Sequence, residues 1–320
     1  MFSDDLSPSA STSAEFIGVD VGGTKIAAAV LRDGDLVDHA LQPTDADDAE
    51  ALIAEIVASV EAVRTEGTAA VGVGVPSVVD WESGLARSSV NVPLTDVPLR
   101  EVLGERLGLP VFVDNDATLA GLAEAHDGDT LVTRNLVMFT VGTGVGGGLV
   151  LDGKPWNGRE SAGEIGHMVV VRDGRRCPCG RRGCMEAYAG RAAMEARARH
   201  LHDDKGRKTV LFDIMRERGR DRLTSGIWFR AADRGDGLAV ELLEEAVGAI
   251  AAATASAVNL LDPEAVVIGG GLGIRFGEPW VQKIREAMQP NLFRDDDPPA
   301  IELAALGDLG GALGAALLVA

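Results

Sequence analysis

Three cysteines, Cys177, Cys179 and Cys184, are all that the chain contains, and they cluster in one short stretch with His167 just upstream. Three thiolates and one imidazole make a closed, tetrahedral zinc set of the structural kind, which leaves no coordination position for water. Gly180 and Gly183 give the backbone room to wrap, and Arg175, Arg176, Arg181 and Arg182 favour thiolate over thiol. Other readings are three buried thiols, or a disulfide that leaves one sulfur over. His39, His126, His200 and His202 compete for the fourth position, but only His167 lies close upstream of the cysteines. Glu164 and Glu186 bracket the stretch, residues 163–186. The expectation is a metal that shapes a loop, with two carboxylates aimed at a polar small molecule.

A second kind of chemistry sits near the start. Phe16 to Val21 and Ile26 to Arg32 read as strands joined by Gly22-Gly23-Thr24-Lys25, and Leu36 to Leu41 as a third. A Walker loop would run from strand to helix and end in GK[ST], so it is absent. The backbone N–H groups of a glycine hairpin can still cradle phosphate, with Thr24 and Lys25 adding a hydroxyl and a charge. Asp20, entering the same turn, could hold Mg²⁺ through water. The alternative is a plain hairpin, in which glycine supplies positive φ. The pattern then returns: VMFTVGTGVGGGLVL, from Val137, repeats IGVDVGGTKIAAAVL, from Ile17, with Gly142 opposite Gly22 and Thr140 opposite Asp20. Gly142 to Gly147 fits G-x-G-x-x-G, but a strand follows where a dinucleotide fold needs a helix. Two copies of one hairpin suggest two related lobes.

A third site candidate is Asp114-Asn115-Asp116, where the strand Val111 to Val113 gives way to a helix, Ala117 to His126. Strand ends of this kind are where open α/β sheets bind ligands. Asp and Asn also cap helices, but one cap accounts for one of the three residues. A carboxylate here can take the proton of a hydroxyl as that hydroxyl attacks phosphorus.

The elements that position these residues are legible from periodicity. Leu52, Ile53, Ile56, Val57, Val60 and Val63 mark an amphipathic helix within Asp45 to Arg64, capped by Thr44 or Asp45. Ala69 to Val75 is a strand, Val78 to Ala86 a hairpin, and Ser88 to Asp96 a polar loop containing Asn91. Pro98 opens a short helix. In the second half, helices are expected at Gly190 to His202, about 209–218, about 223–233, and Gly237 to Asn259. Ala265 to Ile268 is a strand leading into Gly269-Gly270-Gly271, where either a flat group approaches the backbone or the chain simply turns. A helix starts near Pro279; a strand, Ala300 to Ala304, and a helix, Leu309 to Leu318, end the chain. Residues 1–14 are polar and patternless and read as a disordered tail.

The totals set bounds. A chain of 320 residues is long enough for two lobes. A net charge of −19 argues against nucleic acid and anionic membrane surfaces as partners. No apolar run approaches the about 18 residues of a membrane span, and no secretory leader is evident. A cytoplasmic enzyme is the expected class.

DVGGTK, DNDA, GTGVGGG, GEIGH, CPCGRRGCME and VIGGG occur in that order. Together they resemble the ROK family of bacterial sugar kinases and repressors, in particular its zinc-containing glucokinase branch, from about residue 15 to the end. The departures are Ser77, where the family often has glycine, and AYAGR after Glu186, where a serine-glycine pair is frequent. The resemblance implies an α/β, two-lobed actin-like ATPase (ribonuclease H-like) fold with an interlobe cleft. Residues 15–133 plus 307–320 would form the small lobe and 134–306 the large one. It implies ATP-dependent phosphorylation of the 6-hydroxyl of glucose, or of another hexose or N-acetylhexosamine, with Asp116 as general base. Asn91, Asn115, Glu164, His167 and Glu186 would hold the sugar, His167 serving the zinc as well. Asp20 would lie near Mg²⁺, Gly22, Gly23, Thr24, Lys25, Thr143 and Gly144 near the phosphates, and Gly270 and Gly271 near the nucleoside. Homodimers or homotetramers are common in the family. Its repressors carry a DNA-binding unit ahead of the first hairpin, where this sequence has only about 15 residues, with an acidic balance.

Overall fold

The computed structural model describes residues 13–89 and 92–320. The tail expected over residues 1–14 lies outside the described residues, apart from its last two, and so does Asn91. The chain opens with β1 (Glu15–Val21), β2 (Lys25–Arg32), β3 (Asp35–Pro43), α1 (Ala49–Glu61) and β4 (Thr68–Val75). A small sheet follows, β5 (Val78–Asp80), β6 (Leu85–Ser88) and β7 (Thr95–Pro98), then α2 (Leu99–Leu107), β8 (Val111–Asn115) and α3 (Asp116–Glu124). The short pair β9 (His126–Asp127) and β10 (Thr130–Leu131) leads into β11 (Leu136–Val141), β12 (Val145–Leu151) and β13 (Lys154–Pro155). Helices α4 (Glu186–Ala189), α5 (Arg191–Arg199), α6 (Leu211–Glu217), α7 (Ser225–Asp233) and α8 (Gly237–Leu261) come next. The chain closes with β14 (Ala265–Gly269), α9 (Gly270–Phe276), α10 (Glu278–Met288), β15 (Ala300–Leu303) and α11 (Gly310–Leu317).

The two large sheets are built alike. One has the order β3-β2-β1-β4-β8, the other β13-β12-β11-β14-β15. In each, an antiparallel hairpin is extended by parallel strands on the far side of its first strand. The repeat seen in the sequence is thus a repeat of topology, with the two hairpins in equivalent places.

Each sheet has its own aliphatic core. Ile17, Val19, Val71 and Val73 pack with Leu52, Ile56 and Leu103 from α1 and α2. Val137, Phe139 and Ile268 pack with Leu242 and Ile250 of α8. A third cluster joins them: Leu119 and Leu122 of α3 meet Leu136, Met138, Val267 and, from α11, Ala315. Helices α3 and α11 therefore lie between the sheets. The fit is tight enough that a side-chain carbon on Gly72 of β4 would lie 1.8 Å from Ala315 O.

Three details differ from the sequence expectations. Helix α1 starts late, capped by Asp48, whose carboxylate accepts from Ala51 N at 2.8 Å. Thr44 is committed elsewhere: its hydroxyl donates to Gly22 O (2.7 Å) and its N–H to Thr24 O (3.2 Å), bracing the first hairpin. The loop expected over Ser88 to Asp96 contains the start of β7, which pairs with β6. Gly269, Gly270 and Gly271 do not form a free turn, because β14 runs through Gly269 and α9 begins at Gly270 itself. Gly270 has φ 76°, and a side chain there would strike Val141 N at 2.5 Å, so only glycine lets β14 turn into a helix against β11.

Gly72→Ala is expected to cost about 1–3 kcal/mol by overpacking, read from chemical denaturation. Gly248→Ala, in mid-α8 with open space around it, should instead stabilise by up to about 1 kcal/mol.

Candidate functional site

Both hairpins close their turns on the leading glycine. Gly22 N donates to Lys25 O and Gly142 N to Gly144 O, each at 2.9 Å, directly after the last pairs of their ladders, Val21 with Ile26 and Val141 with Val145. They border one cavity of about 560 Å³. Its walls include, of the residues singled out from sequence, Gly22, Gly23, Thr24, Asn115, Asp116, Thr143, Gly144, Glu164, His167, Glu186 and Gly270. Three others stand apart from that lining. Lys25 turns to Asp308, with Nζ to Oδ1 at 2.9 Å. Gly271 lies one step into α9. Asp20 is recessed beneath the first hairpin, facing the start of α11 so closely that a side-chain carbon on Gly311 would lie 2.5 Å from its Oδ2.

The junction of β8 and α3 divides three polar residues among three tasks. Asn115 is the cap: its Oδ1 accepts from Ala117 N (3.0 Å) and Thr118 N (3.2 Å), and its amide donates to Ser77 O (3.2 Å). Asp114 is buried and structural; it accepts from Asn115 N (2.7 Å) and from Asn157 Nδ2 (2.8 Å) across to the second half of the chain. Asp116 accepts from Ala117 N at 2.8 Å and fronts the cavity. Loss of water around it pushes its carboxyl up to about 6, against the pull of the N–H groups of Ala117 and of Asp116 itself and with help from the charge of Glu164. Asp20 rises to about 7 for the same first reason, with the charge of Asp116 adding to it and Lys25 opposing. A carboxylate poised near neutrality in a polar cleft is suited to accept a proton.

The cysteine stretch folds into a compact knot. His167, Cys177, Cys179 and Cys184 bring their ligand atoms within 4.8 Å of one another. Metal–sulfur bonds of about 2.3 Å in a tetrahedron would put ligand atoms about 3.8 Å apart. Cys179 Sγ to Cys184 Sγ and Cys177 Sγ to His167 Nδ1 are both 3.8 Å, so the donor set has the spacing of a tetrahedral metal site. Among the five histidines, His167 is the one brought to the sulfurs. Its other nitrogen, Nε2, lies 3.8 Å from Glu164 Oε2 on the cavity side. Glu186 ties the knot to the second hairpin by accepting from Val145 N at 3.0 Å.

Sequence reasoning passed over several contributors. Ser77, noted only as a departure from the family pattern, and Ser88 line the cavity. Arg191 reaches the second hairpin, donating from Nη2 to Thr143 Oγ1 at 2.7 Å. Arg87 of β6 grips Glu160 through Nε (2.5 Å) and Nη2 (2.7 Å), tying the first half of the chain to the loop that leads to Glu164. None of these pairings is visible without coordinates, because the partners are tens of residues apart.

Two like sheets, each offering a glycine hairpin to a shared cleft, define a two-lobed α/β protein of the actin-like ATPase class. Within that class the chain belongs to the ROK family, whose model matches residues 16–320. It is 33% identical over 315 residues to a glucokinase of Halalkalibacterium halodurans, covering 95% of this chain and 94% of that one. To an N-acetyl-D-glucosamine kinase of Escherichia coli O127:H6 it is 34% identical over 321 residues, covering 95% and 98%. A ROK family glucokinase from Streptomyces griseus, solved in complex with glucose and AMPPNP, superposes with a TM-score of 0.79 at 33% identity, covering 95% and 99%. Among the described residues, no helix is long and apolar enough to cross a membrane.

Two measurements test the site as built. The raised pKa of Asp20 stabilises the fold below the ordinary carboxylate range and is lost as pH rises through about 7. Asp20→Asn should therefore raise the melting temperature more at pH 8 than at pH 5. The knot should carry one metal ion per chain by elemental analysis, and Cys184→Ser should lose it together with several degrees of thermal stability.

Proposed function

We propose that this chain is a glucokinase, transferring the terminal phosphoryl group of ATP to the 6-hydroxyl of glucose. The observation that carries the reading is Asp116, with its carboxyl pushed up to about 6, in a cleft bordered by both glycine hairpins and by the metal-type knot. In this reading Asp116 orients the sugar hydroxyl and takes its proton as the oxygen attacks phosphorus. Glu164, the Nε2 of His167 and Glu186 hold further sugar hydroxyls. Asn115 contributes through its position, since its side chain is occupied in capping α3. Asn91 belongs to the same group on the family resemblance alone.

The backbone donors of Gly23, Thr143 and Gly144 and the hydroxyl of Thr24 would hold the phosphates, Gly22 would shape the turn with its own N–H spent on Lys25 O, and Gly270 would admit the nucleoside face. Lys25, held by Asp308, would act on the phosphates only after leaving that pair. Asp20 lacks a full counter-charge, which fits an oxygen-seeking Mg²⁺ arriving with the nucleotide. The ion would supply neutralisation of the charge that develops on the phosphate oxygens. Thiolate–imidazole donors in a closed set fit Zn²⁺, which would keep the loop from Glu164 to Glu186 in shape and leave the chemistry to the side chains.

Residues 15–133 with 307–320, and 134–306, form the two lobes in this reading, and their closure keeps water from competing for the phosphoryl group. A homodimer or homotetramer working in the cytoplasm, at the entry to glycolysis, completes the proposal. The identity to an N-acetyl-D-glucosamine kinase supports a second reading, in which an N-acetylhexosamine is the acceptor.

A coupled ADP-release assay over hexoses and N-acetylhexosamines separates the two; glucose should give the highest kcat/KM, and a clear preference for N-acetylglucosamine would overturn the first reading. Asp116→Asn should lower kcat by about 10²–10⁴-fold while glucose binding, followed by calorimetry, persists. In the wild type, protonation of Asp116 removes the base, so kcat/KM should fall on the acid side through about pH 6.

A further inference from the structure

Phosphoryl transfer from a nucleotide needs positive charge near the phosphates, yet none of the described residues lining the cleft is a lysine or an arginine. Lys25, the cation expected there from sequence, is neutralised by Asp308. The second hairpin has a cation of its own. Arg191 opens α5 and is fastened to that hairpin at three points. Its N–H donates to Gly142 O (3.1 Å), the next N–H, of Ala192, donates to Thr143 O (2.9 Å), and its guanidinium donates to Thr143 Oγ1 (2.7 Å).

That guanidinium forms no ion pair among the described residues. The carboxylate on its own helix, Glu195, is taken by Arg199 (2.7 Å) and Arg222 (3.4 Å), and also accepts from Leu223 N (2.9 Å). Arg191 is partly buried. Its pKa is lowered chiefly by that burial, with the charge of Arg222 adding to it and Glu195 opposing. The chain has 49 acidic residues against 30 basic ones, so a half-buried arginine without a carboxylate is out of keeping with its surroundings. The planar guanidinium suits phosphate oxygens better than a point charge does.

We propose that Arg191 is a phosphate-binding residue of the cleft, its guanidinium meeting the anionic chain of the nucleotide beside Thr143. This rests on the reading that the cleft takes a nucleoside triphosphate. The hydrogen bond to Thr143 holds the side chain ready, and the free N–H groups take the ligand. On this view the two hairpins differ: the first carries a lysine tied to an aspartate, while the second borrows its cation from the helix behind it.

The test is calorimetric titration of ATP, ADP and AMP, with steady-state kinetics, on wild type, Arg191→Met, Arg191→Lys and Thr143→Val. Arg191→Met should bind ATP about tenfold more weakly, the size of one charge-assisted hydrogen bond, with a smaller loss for ADP and little for AMP. Arg191→Lys should recover part of the ATP affinity, and Thr143→Val, which removes the hydroxyl that holds the guanidinium, should lose less than Arg191→Met and in the same order, most for ATP and least for AMP. Equal losses for all three nucleotides in Arg191→Met, matched by Thr143→Val, would mean that Arg191 only braces the hairpin, and would overturn the inference. So would ATP affinity and kcat unchanged from wild type in a folded Arg191→Met. A wild type that binds no ATP overturns the nucleotide reading itself, an outcome distinct from either of these.

Discussion

The desolvation of one carboxylate governs this site. Asp116 sits where a strand becomes a helix, with backbone N–H groups to steady it and, among the described residues, no cation paired with it, so its proton affinity is set chiefly by how little water reaches it. A neighbouring arginine would fix it as an inert anion; full exposure would leave it too weak a base. Its surroundings avoid both. Asn115 relieves it of capping, Asp114 is turned to Asn157, and Glu164 adds like charge from across the cleft.

Glu164 and His167 owe their places to the cysteine knot. Three sulfurs converge on one nitrogen of His167, which leaves the other facing Glu164. Glu186, at the other end of the knot, accepts from Val145 N and so fixes the knot against the second hairpin. The groups proposed to hold sugar and those proposed to hold phosphate are thereby joined through one short, metal-competent segment. Below them α3 and α11 are wedged between the sheets with no space for added side chains, so the cleft rests on a close-packed floor.

Charge is distributed unevenly around this frame. The cleft wall offers backbone N–H groups, hydroxyls and carboxylates, and its cations stand one layer back: Lys25 with Asp308, Arg191 on Thr143. Arg87 and Glu160 join the two halves near the loop that leads to Glu164. Being about one-third exposed, that pair contributes orientation more than stability.

Much of this was legible in the sequence. Two glycine hairpins, the strand end at Asp116 and the Cys-His spacing are local patterns, and local patterns survive reading in one dimension. So does the repeat, because each hairpin is a self-contained strand, turn and strand. What escaped depended on long-range packing. Thr44 lost the cap of α1 to Asp48 because it was needed at Gly22, and α9 began at Gly270 because Val141 lay against it. The partners of Lys25, Arg87 and Arg191 lie 283, 73 and 48 residues away in the chain. Residue types and spacing determined which groups could do chemistry. Only the folded chain decided which of those groups face the cleft and which are spent on one another, since burial and pairing belong to surfaces that exist only once the two sheets meet.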